Sequence, residues 1–149
     1  MNMSAGWKNF ELSALFQGVA NKSIMLDRYG NTMFLDGTSN YFKYLTEDAW
    51  SPENTNASFP RPHVGLNTNN HRASSVWVMN ASYLRLKNIE LSYTFSDLNR
   101  LNGLRLYVNG NNLLTFDSLA GIMDPESPSG AAQYYPQMKS VNFGINLTF

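Results

Sequence analysis

The chain has no cysteine, no apolar run long enough for a membrane helix, and no excess of either charge. Without cysteine there is no disulfide framework, no thiolate metal site and no cysteine nucleophile. Because 11 Lys plus Arg stand against 11 Asp plus Glu, no global field draws the chain to nucleic acid or to an acidic membrane surface. A helical span needs about 20 consecutive apolar residues. Any crossing of a bilayer therefore falls to strands, whose hydropathy signal is much weaker. The opening MNMSAGWKNF has neither the basic nor the apolar region of a secretory leader, so an envelope protein with this opening is expected to have its beginning missing. Several chemistries are absent too. His63 and His71 have neither HxH nor HxxxH spacing and read as exposed loop residues rather than a metal pair. Asp117, Asp124 and Glu126 lack the alternating oxygen ladder of an EF-hand, and no Gly-Lys-Ser/Thr follows Gly103 or Gly110. No nucleophile elbow or acid pair stands out. The expectation is a protein that is not an enzyme and holds no cofactor or metal.

What is present is a chain lean in charge, at 15%, and rich in rings, at 13%, which suits the wall of a membrane barrel. The pattern is sharpest in the last stretch, KSVNFGINLTF. There Val141, Phe143, Ile145, Leu147 and Phe149 fall on one side of an extended strand, and Ser140, Asn142, Gly144, Asn146 and Thr148 on the other. A wholly apolar row backed by a small polar one fits a sheet whose faces meet different surroundings, core and water or lipid and a wet lumen. A tilted strand crosses a bilayer in about nine to eleven residues, and this stretch has that length. Burying each apolar side chain is worth about 1.5–3 kcal/mol, against about 1–2 kcal/mol per residue for ordering the backbone. The strand therefore needs hydrogen-bonded neighbours.

Those neighbours lie upstream. FELSALFQG, residues 10–18, alternates with Leu15 as its exception. Residues 22–44 read as a strand, a turn at Asp36-Gly37 and one short helix. From Ser74 four strands follow in series: SSVWVMN, SYLRLKNIELSYTF, LRLYVNGNNLLTF and the terminal one. In the second, the apolar side chains change from even to odd positions between Leu86 and Ile89, which predicts a β-bulge near Lys87-Asn88. In the third, Leu104, Leu106 and Val108 oppose Arg105, Tyr107 and Asn109. Two segments, about 46–73 and 117–137, carry Pro, Asn, Gly and Ser without periodicity and read as long loops. A short link at 97–103 and long loops thus alternate, as tight inner turns and extended outer loops do in outer-membrane barrels.

Taken together, NASYLRLKNIELSYTF, LRLYVNGNNLLTF, the Asp124-Pro125-Glu126 triplet and YPQMKSVNFGINLTF resemble the closing strands of SusC/RagA-type TonB-dependent outer-membrane transporters. WSPENTNASFPRP at 50–62 resembles that family's Trp-Thr-Pro-Glu-Asn loop and its Pro-Arg pair. The resemblance runs from about Trp7 to Phe149 and implies an all-β fold: antiparallel strands forming the closing segment of a transmembrane β-barrel, a fragment of a barrel that has roughly 22 strands in all, with long outer loops. It implies residence in the cell outer membrane and a share in importing an oligosaccharide or peptide. The implied partners are the missing N-terminal barrel and plug of the same protein, TonB through that plug, a SusD-like lipoprotein, the barrel-assembly machinery and outer-membrane lipid. No nucleic acid is among them. Val141, Phe143, Ile145, Leu147 and Phe149 become the lipid-facing terminal strand and insertion signal.

Tyr41, Tyr44, Trp50, Tyr134 and Tyr135 are planar rings in or beside the loops, suited to interfacial girdles, to loop packing or to contact with a ligand. The alternative to a membrane wall is a small soluble β-barrel or sandwich that binds glycans through such loops. Expression without detergent separates the two. A wall segment with unpaired edges and an apolar face is expected to aggregate, whereas a soluble monomer contradicts the wall reading.

Overall fold

Alternation at a period of two builds a five-stranded sheet of order β1-β2-β5-β6-β7. Its strands are β1 (Asn2–Trp7), β2 (Phe10–Val19), β5 (Tyr83–Phe95), β6 (Gly103–Asp117) and β7 (Ser140–Thr148). The computed structural model describes residues 1–32, 41–63, 69–96, 103–119 and 121–148. The sheet belongs to a first compact unit of residues Met1–Ala20, Tyr83–Phe116 and Gln137–Phe149, and a second unit comprises Asn21–Ser82 and Asp117–Pro136. Among the described residues no helix is long and apolar enough to cross a membrane.

Register sorts the side chains. Phe10, Leu12 and Ala14 face Tyr93, Leu91 and Ile89 across the antiparallel β2–β5 pair; after a shift between Leu15 and Phe16, Phe16 and Gly18 face Leu86 and Leu84. Lys87 is the extra residue. The bulge expected near Lys87-Asn88 is present, and it keeps both halves of β5 presenting their apolar side chains to one face. Between β6 and β7, Leu104, Leu106 and Val108 face Leu147, Ile145 and Phe143. β1 extends the row, with Met3, Ala5 and Trp7 opposite Ala14, Leu12 and Phe10. Residue order alone gives no strand signal there. The β1–β2 hairpin turns on Lys8 and Asn9, and Lys8 takes a φ of 53°. Tight hairpins favour Gly or Asn at such a position, so Lys8 gave no turn signal. Two long excursions interrupt the sheet strands in sequence, one after β2 and one after β6.

The second unit is made from those excursions. β3 (Ser23–Met25) pairs antiparallel with β4 (Val78–Asn80), and the short helix expected in this part of the chain is α1 (Tyr44–Glu47). The stretch SSVWVMN, expected as one strand, is a 3-10 turn at Ser75–Trp77 followed by the short β4. Its partners explain the difference: Leu26 N donates to Trp77 O at 2.8 Å, Ala81 N to Lys22 O at 2.8 Å, and the Trp77 indole to Asn70 O at 2.9 Å. Leu26, Leu45 and Trp77 form one buried cluster, Ile24, Ala81 and Leu119 another, and Met79 and Met123 pack on both. Leu119 and Met123 come from the second excursion, so the two share a core. Backbone joins them as well. Leu26 bridges Gly130, Asp27 N donates to Gly130 O at 3.2 Å, and Lys22 Nζ donates to Pro125 O. The Asp36-Gly37 turn, the link from residue 97 to 102 and Phe149 lie outside the described residues.

A side chain at Gly130 has no room: its Cβ falls 1.8 Å from Met25 O. Gly130→Ala is expected to cost at least about 1–3 kcal/mol, the usual range for overpacking, because the obstacle is backbone. Faster hydrogen exchange at the Leu26 and Asp27 amides measures it. Gly103→Ala, whose Cβ meets only Thr148 Cβ at 4.0 Å, serves as the control and is expected to leave exchange unchanged.

Candidate functional site

The two faces of the sheet are chemically distinct across their width. Arg105 on β6 lies 2.7 Å from Glu90 on β5 and 3.8 Å from Glu11 on β2, so these three rows share one face and the apolar rows share the other. Asn88 Nδ2 donates to Asn111 Oδ1 at 3.0 Å, Asn111 Nδ2 to Ser140 Oγ at 3.2 Å, and Asn142 Nδ2 to Asn109 Oδ1 at 2.9 Å. Polar side chains are thereby satisfied from strand to strand. Tyr107 lies across from Gly144, where a Cβ would fall 2.1 Å from Tyr107 Cζ. Gly144 leaves space for that ring on the polar face, and the Arg105 guanidinium sits 5.5 Å from the ring centre.

The opposite face is apolar and uncovered. Phe143 is 83% exposed and Ile145 66%, with Val141 and Leu147 about half exposed. Near the Lys8-Asn9 turn this face ends in rings: Trp7 stacks with Phe10 at 6.5 Å, Phe10 meets Tyr93 edge-on at 4.6 Å, and Tyr93 meets Phe95 at 4.5 Å. Lys8 Nζ stands 4.8 Å from the Trp7 ring centre. An aromatic rim with an amphipathic cation has the chemistry of a bilayer interface.

In the second unit a cleft of about 540 Å³ is lined by Trp50, Phe59, Arg61, Asn70, Val76 and Trp77 among others. Trp77 forms its floor, stacked on Phe59 with ring centres 5.9 Å apart. Trp50 is fixed from behind by its N–H, which donates to Phe59 O at 2.9 Å. Asp48 holds the same turn through Ser58 N at 3.0 Å and Asn54 Nδ2 at 3.2 Å. Hydrogen bonds from Ser58 and Asn54 keep its carboxyl below the ordinary range. Of the five ring residues singled out from sequence, Trp50 alone lines this cleft. Tyr44 is spent on the core: its ring lies 5.6 Å from Phe42 and 5.8 Å from Phe59, and its hydroxyl donates to Gly30 O. Burial pushes that phenol's pKa up. Tyr41, Tyr134 and Tyr135 are exposed. Arg61, Val76 and Trp77 were not picked from sequence, although the Trp50–Pro62 motif already placed Arg61 near Trp50.

His63 and His71 come together, with ring centres 5.4 Å apart. No group of three or more metal-ligating side chains occurs among the described residues. Burial, and then the neighbouring His63, hold the His71 pKa below its usual value.

No protein-family model matches this chain. TonB-dependent receptor P3 of Formosa agariphila is 32% identical over 165 aligned positions, covering 99% of this chain and 16% of the receptor. TonB-dependent receptor SusC of Bacteroides thetaiotaomicron is 30% identical and covers 96% of the chain and 14% of its own length. The chain thus spans about a sixth of the curated relatives it matches. Among solved structures, the RagAB peptide importer in its closed-closed state superposes with a TM-score of 0.71 at 29% identity, over 99% of this chain and 16% of that one.

The histidine pair generates a pH prediction. A histidine whose folded pKa is depressed binds fewer protons folded than unfolded, so stability is full above the unfolded value of 6.5 and falls as pH drops toward and through the folded value. Hydrogen exchange of residues 69–77 is expected to accelerate below pH 6.5 beyond its intrinsic pH dependence, and His71→Gln to remove that excess. An unchanged pH profile in the variant contradicts it.

Proposed function

We propose that the sheet is part of the wall of an outer-membrane barrel that imports a nutrient, an oligosaccharide or a peptide, because homologues over nearly the whole chain are TonB-dependent receptors, matched here in the C-terminal portion of a SusC/RagA-type transporter. One observation carries this reading: the apolar row is continuous across five strands, and on β7 it is exposed. In water such a face is a liability. Against hydrocarbon it is a requirement.

On this reading residues 1–149 all belong to the barrel, with 46–73 and 117–137 as external loops. Val141, Phe143, Ile145, Leu147 and Phe149 face lipid and form the strand read by the assembly machinery. The Arg105, Glu90 and Glu11 face looks toward the lumen and the plug, through which TonB supplies energy. The two excursions shape the outer vestibule beneath a SusD-like lipoprotein, with Trp50, Tyr41, Tyr134 and Tyr135 as ligand-contact rings. The chain's part in transport is structural, and it performs no chemistry. Similarity to SusC and to the RagAB peptide importer supports the transport class.

Placing a cation on each face in turn tests the orientation. In the full-length receptor, Ile145→Arg is expected to cost about 2–4 kcal/mol, as arginine does on the lipid face near a bilayer's midplane. Asn146→Arg on the other face is expected to cost far less. The readout is the fraction of heat-modifiable, folded barrel recovered on refolding into lipid. Equal losses for both contradict the proposal.

A further inference from the structure

Alternation excludes a one-residue slip between β6 and β7, which would exchange the faces, but it is blind to a slip of two. Moved two residues either way, β7 still sets apolar against apolar: Leu106 and Val108 would face Phe143 and Val141, or Leu147 and Ile145, in place of Ile145 and Phe143. The amides are nearly as tolerant, because Asn109 would then meet Ser140, or Asn111 meet Asn142. No tight turn dictates the register either, since residues 118–139 separate the two strands. Asn112 Nδ2 donates to Met138 O at 3.0 Å, yet a backbone carbonyl is the same at every residue. One contact is selective. Gly144 is the one half-buried residue of β7, and the Tyr107 ring opposite it occupies the place that a Cβ would take. The ring is itself held, because the Arg105 guanidinium lies 5.5 Å from its centre and is fixed to Glu90 on β5 at 2.7 Å. A two-residue slip would bring Asn142 or Asn146 beneath it.

We propose that Tyr107 selects the register of β7: the strand is accepted only where Gly144 passes beneath the ring, and the two-residue slips that alternation leaves open are rejected. A side chain beneath the ring must displace it or lift the strand, and this overpacking weighs against the slipped pairings alone. The frame of reference is carried from β5 through Glu90 and Arg105 to the ring, and from the ring to β7. The inference rests on the wall reading for its consequence. Two residues of strand span about 7 Å, a large share of an apolar band about 25 Å tall. A slipped β7 would carry Val141 or Leu147 toward the edge of that band. The edge that β7 offers to its next neighbour in the barrel would move with it.

The test uses the full-length receptor refolded into lipid vesicles, with Ser140→Cys joined to a second cysteine on β6. Asn111→Cys marks the register of this structure, in which residues 111 and 140 are partners, and Asn109→Cys marks a two-residue slip. A diagonal neighbour lies roughly 7–8 Å away, beyond the reach of a disulfide, so each pair reports one register. Residues 1–149 bring no cysteine of their own. With Tyr107 in place, or with Tyr107→Phe, oxidation is expected to join 140 to 111 alone. Tyr107→Ala is expected to raise the bridge from 140 to 109 roughly tenfold or more, the factor that overpacking by one side chain is worth. Moving the gap moves the strand: Asn142→Gly combined with Gly144→Asn is expected to make 140 to 109 the main bridge. Heat-modifiable migration verifies that each variant forms a barrel. If the glycine exchange prevents folding, adding Tyr107→Ala is expected to restore it by removing the obstacle. A bridge from 140 to 111 alone in either folded variant, or an unfolded exchange variant that Tyr107→Ala fails to rescue, overturns the proposal and leaves the wall reading intact. An unaltered receptor that forms no barrel defeats the wall reading instead.

Discussion

A backbone set in hydrocarbon finds no water for its amides, so each strand of a membrane wall must be paired by its neighbours and must keep its apolar side chains on one side throughout. The five-stranded sheet meets the second condition through register. From Met3 on β1 to Leu147 on β7 the apolar residues stay in line, and where β5 would slip out of phase, Lys87 is set aside as a bulge. A single-residue slip would exchange the two faces beyond that point. The bulge is therefore a condition of the sheet having two faces at all.

The polar face answers a different demand. Its side chains must be satisfied without the sheet acquiring a second apolar core, and they bond one another across strands. Arg105 serves two carboxylates, Asn111 links Asn88 to Ser140, and the Tyr107 ring occupies the space left by Gly144. These contacts fix strand order and register on that face. The two excursions obey the rules of a water-soluble body instead: a small aromatic and aliphatic core, two glycines in close approach at Gly30 and Gly130, and few regular elements.

Much of the sheet was legible because alternation is a local property. β7, the two halves of β5 with their change of phase, and the apolar row of β6 can be read directly from residue order. β1 was not, because its six residues include Gly, Ala and two small polar side chains, and its turn uses Lys8 in place of a glycine. Residues 74–80 read as a single strand because Val76, Trp77 and Val78 suit one locally, and only their pairing with residues 23–26 makes them a 3-10 turn and a three-residue strand. The excursions read as loops since Pro and Asn erase periodicity, and nothing in their order announces that Leu119 and Met123 meet residues as far upstream as Ile24. For the same reason Trp50 was noticed as an isolated ring, while its association with Arg61, Val76 and Trp77 required the fold.

The account turns on which medium the odd-numbered side chains of β7 touch. Single nitroxide labels placed in turn from residue 140 to 148 of the receptor in lipid vesicles, with relaxation measured by dissolved oxygen and by a water-soluble nickel chelate, read this position by position. The prediction is a period of two, with 141, 143, 145 and 147 open to oxygen and closed to nickel. Odd positions shielded from both reagents would mean that these side chains fill a protein interior, and the membrane-wall account would be wrong.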